Sequence, residues 1–167
     1  MYKDRKLNRL KEFDYTQGYW YFVTICVKDM KTFLGKVSNE KIILNNFGKI
    51  VEEKWLDLKI KHLWLYLDEY VVMPNHFHGI ITFEAVGTTH ELSLQGKIKS
   101  LSYYIGKFKM QSSKAIHLGG LKEFKWQRSF YDRIIRNETE LYNIRRYIRL
   151  NPLKWELERN YPKNLDF

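Results

Sequence analysis

The chain has 167 residues, 44% hydrophobic and 16% aromatic, which is ample material for the core of one globular domain. Twenty-nine Lys and Arg against 19 Asp and Glu give a formal net charge of +10, which favours polyanionic partners, nucleic acid first, through counterion release and steering. A single cysteine, Cys26, excludes an intrachain disulfide and a cysteine zinc finger; with no run of signal-peptide or bilayer length, a soluble cytoplasmic protein is expected.

Residues 1–14 are rich in Lys and Arg and read as a basic arm on a single domain spanning 1–167. "YWYFVTICV" (19–27) is dense in aromatic and β-branched residues and predicts a strand. A small hairpin is expected over 32–44, with Ser38 and Asn39 near its turn. Over 45–61, Ile50, Val51, Trp55, Leu58 and Ile60 recur at helical spacing behind Asn45 or Asn46 as N-cap. "LWLYLDEYVVM" (63–73) and "HFHGIITFE" (76–84) flank a Pro-Asn turn and predict a second hairpin.

Residues 85–93 have no period and read as a loop. From Leu94 to Leu118 the pattern fits one long amphipathic helix carrying Lys97, Lys99, Lys107, Lys109 and Lys114 and no acidic residue. Residues 125–136 are the last strand candidate. Residues 137–160 predict a helix capped by Asn137, with Glu140 at the capping-box position and Pro152 interrupting it. This order suits an α+β, ferredoxin-like split βαβ sandwich, an antiparallel sheet with helices on one face.

In a strand His76 and His78 project from the same face, with Phe77 on the other. Two adjacent imidazoles can share one divalent cation, or simply hydrogen-bond at a surface. A third ligand has to come from His62, His90, His117, an acid, or an amide such as Asn151. Tyr147 and Asn151, four residues apart, share a helical face, as half-buried amphipathic stripes also do.

"MPNHFHGI", "FKWQRSFYDRIIRNETEL", "IRRYIRLNPLKW" and "DYTQGYWYFVTICV", in these positions, resemble the HUH single-tyrosine transposases. The likeness covers roughly residues 5 to 157 and is strongest to the branch associated with repetitive extragenic palindromes. It implies a ferredoxin-like HUH fold, His76 and His78 as metal ligands, Asn151 completing a Mg²⁺ or Mn²⁺ site, and Tyr147 as nucleophile. It further implies nicking and rejoining of hairpin-containing single-stranded DNA through a 5′-phosphotyrosine intermediate, by a nucleoid-associated protein acting as a monomer or homodimer. No glycine-rich nucleotide-phosphate loop is present, consistent with chemistry that needs no ATP.

Tyr103, Tyr104, Tyr131 and Tyr142 are rival nucleophiles, but none has an amide one turn later in the same motif. Lys97, Lys99, Lys107 and Lys109, together with Arg128, Arg133, Arg136, Arg145, Arg146 and Arg149, are expected to meet DNA phosphates or form solvated faces. Competing readings are a domesticated protein that only binds DNA hairpins and a replication-initiator-like HUH nickase. An RNA-binding module of the same fold is disfavoured, because its aromatic strand motif is absent.

Overall fold

The computed structural model describes residues 19–83 and 99–160, without the side chains of the last two. The expected N-terminal arm, the 85–93 loop, residues 94–98 with Lys97, and His90 lie outside the described residues. The elements run β1 (Trp20–Cys26), β2 (Gly35–Ser38), β3 (Lys41–Leu44), α1 (Asn46–Lys61), β4 (Leu65–Val72), β5 (His76–Phe83), α2 (Leu101–Leu118), β6 (Tyr131–Ile135) and α3 (Glu138–Asn160). Four strands form one antiparallel sheet in the order β4-β5-β1-β6, and β2 and β3 form a separate hairpin. The β1-α1-β4 and β5-α2-β6 units interleave, which is the split βαβ pattern of the ferredoxin-like sandwich.

Local chemistry explains most boundaries. Asn45 Oδ1 accepts from the backbone N–H groups of Phe47 and Gly48 and so caps α1. Asn39 and Glu40, with φ of 52° and 59°, make the tight turn of the β2–β3 hairpin. At α3, Asn137 Oδ1 accepts from Glu140 N–H at 2.8 Å, and the Glu140 carboxylate accepts from Arg136 N–H at 2.9 Å, one residue before the cap.

Strand alternation sorts two cores. Tyr21, Val23 and Ile25 of β1 and Phe77, Ile81 and Phe83 of β5 pack with Trp55 of α1 and Tyr104 and Phe108 of α2. On the opposite face, Ile80 and Ile135 meet Leu141, Ile144 and Ile148 of α3, with Trp20, Phe22 and Val71 against them. Thus α1 and α2 cover one face of the sheet, while α3 lies across the other. Gly79 permits the close approach on the α1 side, since a Cβ there would stand 2.7 Å from Trp55 Cζ2.

Three boundaries differ from the sequence expectation. Helix α2 starts at Leu101, with Lys99 and Ser100 outside it, because Ser100 is extended at ψ 156° as N-cap. The last strand is only Tyr131–Ile135; Trp126 contributes an isolated bridge to Val27. Pro152 does not interrupt α3, which continues to Asn160. Proline's fixed φ is compatible with a helix, so its cost is the missing N–H bond, and Asn151 and Pro152 are both buried.

Candidate active site

Strand β5 and helix α3 bring the conspicuous polar residues together. Pairing of β1 with β5 sets Thr24 opposite His78 and Cys26 opposite His76. The two imidazole rings, on the α3 face of β5, have centroids 4.6 Å apart. From α3, the Tyr147 hydroxyl lies 3.4 Å from His78 Nε2, and the buried Asn151 side chain lies beside the His76 ring. Phe22 stacks on His78 at 5.2 Å and meets Tyr147 edge-on at 6.0 Å, so three elements wall the group. Trp155, one turn beyond Asn151, packs 5.9 Å from His76.

Each imidazole has a second partner. His76 Nδ1 is 2.6 Å from Asn75 Oδ1, an oxygen that only accepts, so Nδ1 carries the hydrogen and Nε2 keeps its lone pair. His78 Nδ1 is 2.8 Å from Thr24 Oγ1, which leaves its Nε2 facing Tyr147. Burial pushes the His76 pKa from its ordinary 6.5 down to about 4, partly offset by the neighbouring Asn151 side chain. Burial, and then the neighbouring His76, take His78 down to about 3. Both rings are therefore neutral near pH 7, the state that can donate nitrogen lone pairs to a cation.

The donor set fits a divalent metal: two neutral imidazoles with an amide alongside. Among the described residues no group of three or more His, Cys, Asp or Glu converges in a metal-binding arrangement. Two nitrogens and an amide oxygen leave coordination positions for substrate oxygens and suit Mn²⁺ or Mg²⁺. The other described histidines are elsewhere: His62 stands against Trp64 and Tyr104, and His117 Nε2 contacts Phe124 O at 2.7 Å.

The rival tyrosines fall away from this cluster. Tyr103 and Tyr104 are on α2, across the sheet, where the Tyr104 hydroxyl accepts from Trp64 Nε1. Tyr131 and Tyr142 point outward, 56% and 63% exposed.

The basic residues divide into several groups. A register shift in β4 between Leu67 and Tyr70 leaves Asp68 and Glu69 out of the ladder. These acids pair with Arg145 at 2.6 Å and Arg149 at 3.2 Å, tying α3 to the sheet edge on either side of Tyr147. Arg133 pairs with Glu140. Arg146 is exposed and borders, with Tyr147, Leu150 and Leu153, a groove of about 400 Å³ along α3. Arg128, Arg136 and Lys99 are exposed.

Lys107 and Lys109 sit on α2, on the face of the sheet opposite Tyr147. The Lys107 ammonium lies over the Tyr103 ring at 5.5 Å. Lys109 is drawn inward, its Nζ donating to the carbonyls of Gln127 at 2.7 Å and Arg128 at 3.0 Å, so it binds the chain's own backbone. Thr24, Asn75 and Phe22 were not singled out by sequence. Only Asn75 carried a local signal, its place directly before His76.

The architecture is similar to that of a solved tyrosine transposase. The described fold matches a solved structure of the REP-associated tyrosine transposase bound to a REP hairpin, with a TM-score of 0.60 and 21% identity, covering 88% of this chain and 74% of that one. A transposase candidate from Deinococcus radiodurans R1 matches with a TM-score of 0.50 and 15% identity, over 84% of this chain and 94% of its own. No protein-family model matches the chain. An uncharacterized protein of Haemophilus influenzae is 33% identical over 94% of this chain and 93% of its own length, and the chain belongs to the same family as that protein. No helix among the described residues is long and apolar enough to cross a membrane.

Proposed function

We propose that the protein is a metal-dependent endonuclease and strand transferase that nicks hairpin-containing single-stranded DNA with Tyr147 and rejoins the strands. The observation that carries this reading is the convergence of the Tyr147 hydroxyl, 3.4 Å from His78 Nε2, with His76 and Asn151 on facing elements of a transposase fold. The net charge of +10 and the REP hairpin bound by the similar transposase support DNA hairpins as the substrate class.

In the proposed step the Tyr147 oxygen bonds to phosphorus as the P–O3′ bond breaks, giving a 5′-phosphotyrosine ester and a free 3′-OH. The ring is 41% exposed, so water takes the phenolic proton and returns one to the leaving oxygen. One phosphoester replaces another, and the reverse reaction joins strands without ATP. His76, His78 and Asn151 would hold a divalent cation, which when bound neutralises phosphate charge and orients the scissile bond. Phe22 and the two arginine pairs on α3 keep the phenol aimed at the same side of β5.

The test is incubation with labelled hairpin oligonucleotides in Mn²⁺ or EDTA, followed by denaturing gels and peptide mass mapping. A Mn²⁺-dependent adduct on Tyr147 is expected, absent from Tyr147→Phe while that variant still binds hairpins. A full adduct in Tyr147→Phe would remove Tyr147 from the mechanism, and tight binding of the native hairpin without any adduct would leave a binding protein.

A further inference from the structure

A second concavity lies at the end of the sheet from which His76 emerges. The chain leaves β1 through Val27 into a turn at Lys28–Met30, where Asp29 and Met30 hold left-handed backbone, φ 57° and 52°, which non-glycine residues rarely adopt. The segment around Lys125 closes against it: Lys28 N–H donates to Lys125 O at 2.8 Å, and Phe33 and Phe124 pack with ring centres 6.2 Å apart. Between them is a cavity of about 200 Å³ lined by Lys28, Lys31, Lys122 and Lys125, against Asp29 and Glu123.

All six of these charged side chains are exposed, and no ion pair among the described residues engages any of the four ammonium groups. Four lysines against two acids leave the cleft lining net positive, a field that attracts an anion, and the Lys31 ammonium lies 5.6 Å over the Phe33 ring at its wall. A phosphodiester with several waters, each of roughly 30 Å³, fits the volume. Strained non-glycine turns of this kind persist where the surroundings hold them, and cluster at functional sites.

The turn is also bonded directly to the candidate active site. Asn75 accepts from Val27 N–H through its backbone oxygen at 2.8 Å and donates from Nδ2 to Met30 O at 3.2 Å. Its Oδ1 holds His76 Nδ1. From this juxtaposition we infer that the four-lysine cleft seats backbone phosphates of the DNA flanking the strand presented to Tyr147. The inference rests on the reading of the chain as a DNA-processing protein, and adds to it a phosphate seat distinct from the metal-binding residues.

The experiment measures fluorescence anisotropy of a labelled hairpin oligonucleotide with single-stranded flanks, bound to the full chain across a NaCl series. Lys122→Ala/Lys125→Ala leaves the strained turn untouched; Lys49→Ala/Lys59→Ala on α1 makes the same charge change across the sheet from Tyr147. The cleft pair is expected to lower the slope of log K against log salt by roughly 1.4 to 1.8 and to weaken binding roughly tenfold near physiological salt. Lys122→Arg/Lys125→Arg should restore the slope, and the α1 pair should change it little. Equal slopes for the cleft and α1 pairs would overturn the inference, as would a wild-type chain that binds no hairpin.

Adduct formation at saturating DNA separates the two readings. A cleft effect on the slope with no wild-type adduct would sink the nuclease reading and leave the phosphate seat. A wild-type adduct with no cleft effect would do the opposite.

Discussion

Acid should unfold this protein through its candidate active site before it reaches most of the carboxylates. His76 and His78 hold their protons at about 4 and about 3 in the folded chain and near 6.5 once unfolded. Between those values the unfolded state binds more protons, so stability is full above pH 6.5 and falls as pH drops towards the folded values. From pH 7 to pH 5 each ring costs about 2 kcal/mol, roughly 4 kcal/mol together. His62, pushed down by burial and then by Lys107 and Lys61, adds to the same trend. Asp57 and Glu140, whose pKa values are lowered, release their contribution only at pH values further down. Urea unfolding at pH 7 and pH 5, for the wild type and for His76→Gln/His78→Asn, isolates the two rings. The double variant should lose most of the pH dependence and keep the part due to His62. An unchanged pH dependence in that variant would refute the burial argument for both histidines.

Removal of either imidazole, by His76→Ala or His78→Ala, should abolish the Mn²⁺-dependent adduct, whereas Asn151→Ala should retain more activity because water can replace one ligand; a total loss in Asn151→Ala would reverse that ranking. Thr24→Val and Asn75→Leu should each weaken Mn²⁺ binding about 10- to 100-fold by freeing the orientation of one ring. Titration by electron paramagnetic resonance reads the affinity, and ¹⁵N NMR of the imidazoles should show a mixture of tautomers at His76 in Asn75→Leu; wild-type values in both would deny the two side chains a positioning role. Gly79→Ala should destabilise the fold by about 1–3 kcal/mol, since its Cβ would stand 2.7 Å from Trp55 Cζ2 and 2.9 Å from Phe77 Cε1; an unchanged urea midpoint would mean that Trp55 moves without cost.

Period-two alternation was enough to place His76 and His78 on one side of a strand, and the Asn137 and Glu140 signals located the start of the helix that carries Tyr147. What stayed hidden depends on tertiary partners. Thr24 becomes a partner of His78 only through the β1–β5 register, which nothing within either strand announces. Lys109 reads in the sequence as one of a row that meets DNA phosphates or solvent, because the carbonyls that hold it lie 18 and 19 residues away. The amphipathic period runs on through Ile98, so only the extended backbone of Ser100 marks where α2 starts. Pro152 obeyed the expectation of a lost hydrogen bond but not of a broken helix, since burial beside Asn151 holds α3 on course.

Strand β5 gives its even-numbered side to His76, His78 and Ile80 and its odd-numbered side to Phe77, Gly79 and Ile81, which close on Trp55 and its neighbours. A slip of one residue would turn the imidazoles into the apolar core and the phenylalanine into the site. Under the proposed function, a population of molecules losing structure in denaturant should therefore lose DNA cleavage in step with its tryptophan signal. If the proposed activity holds, the same eight residues carry both the candidate site and the register of the central strand, so a requirement for one constrains the other.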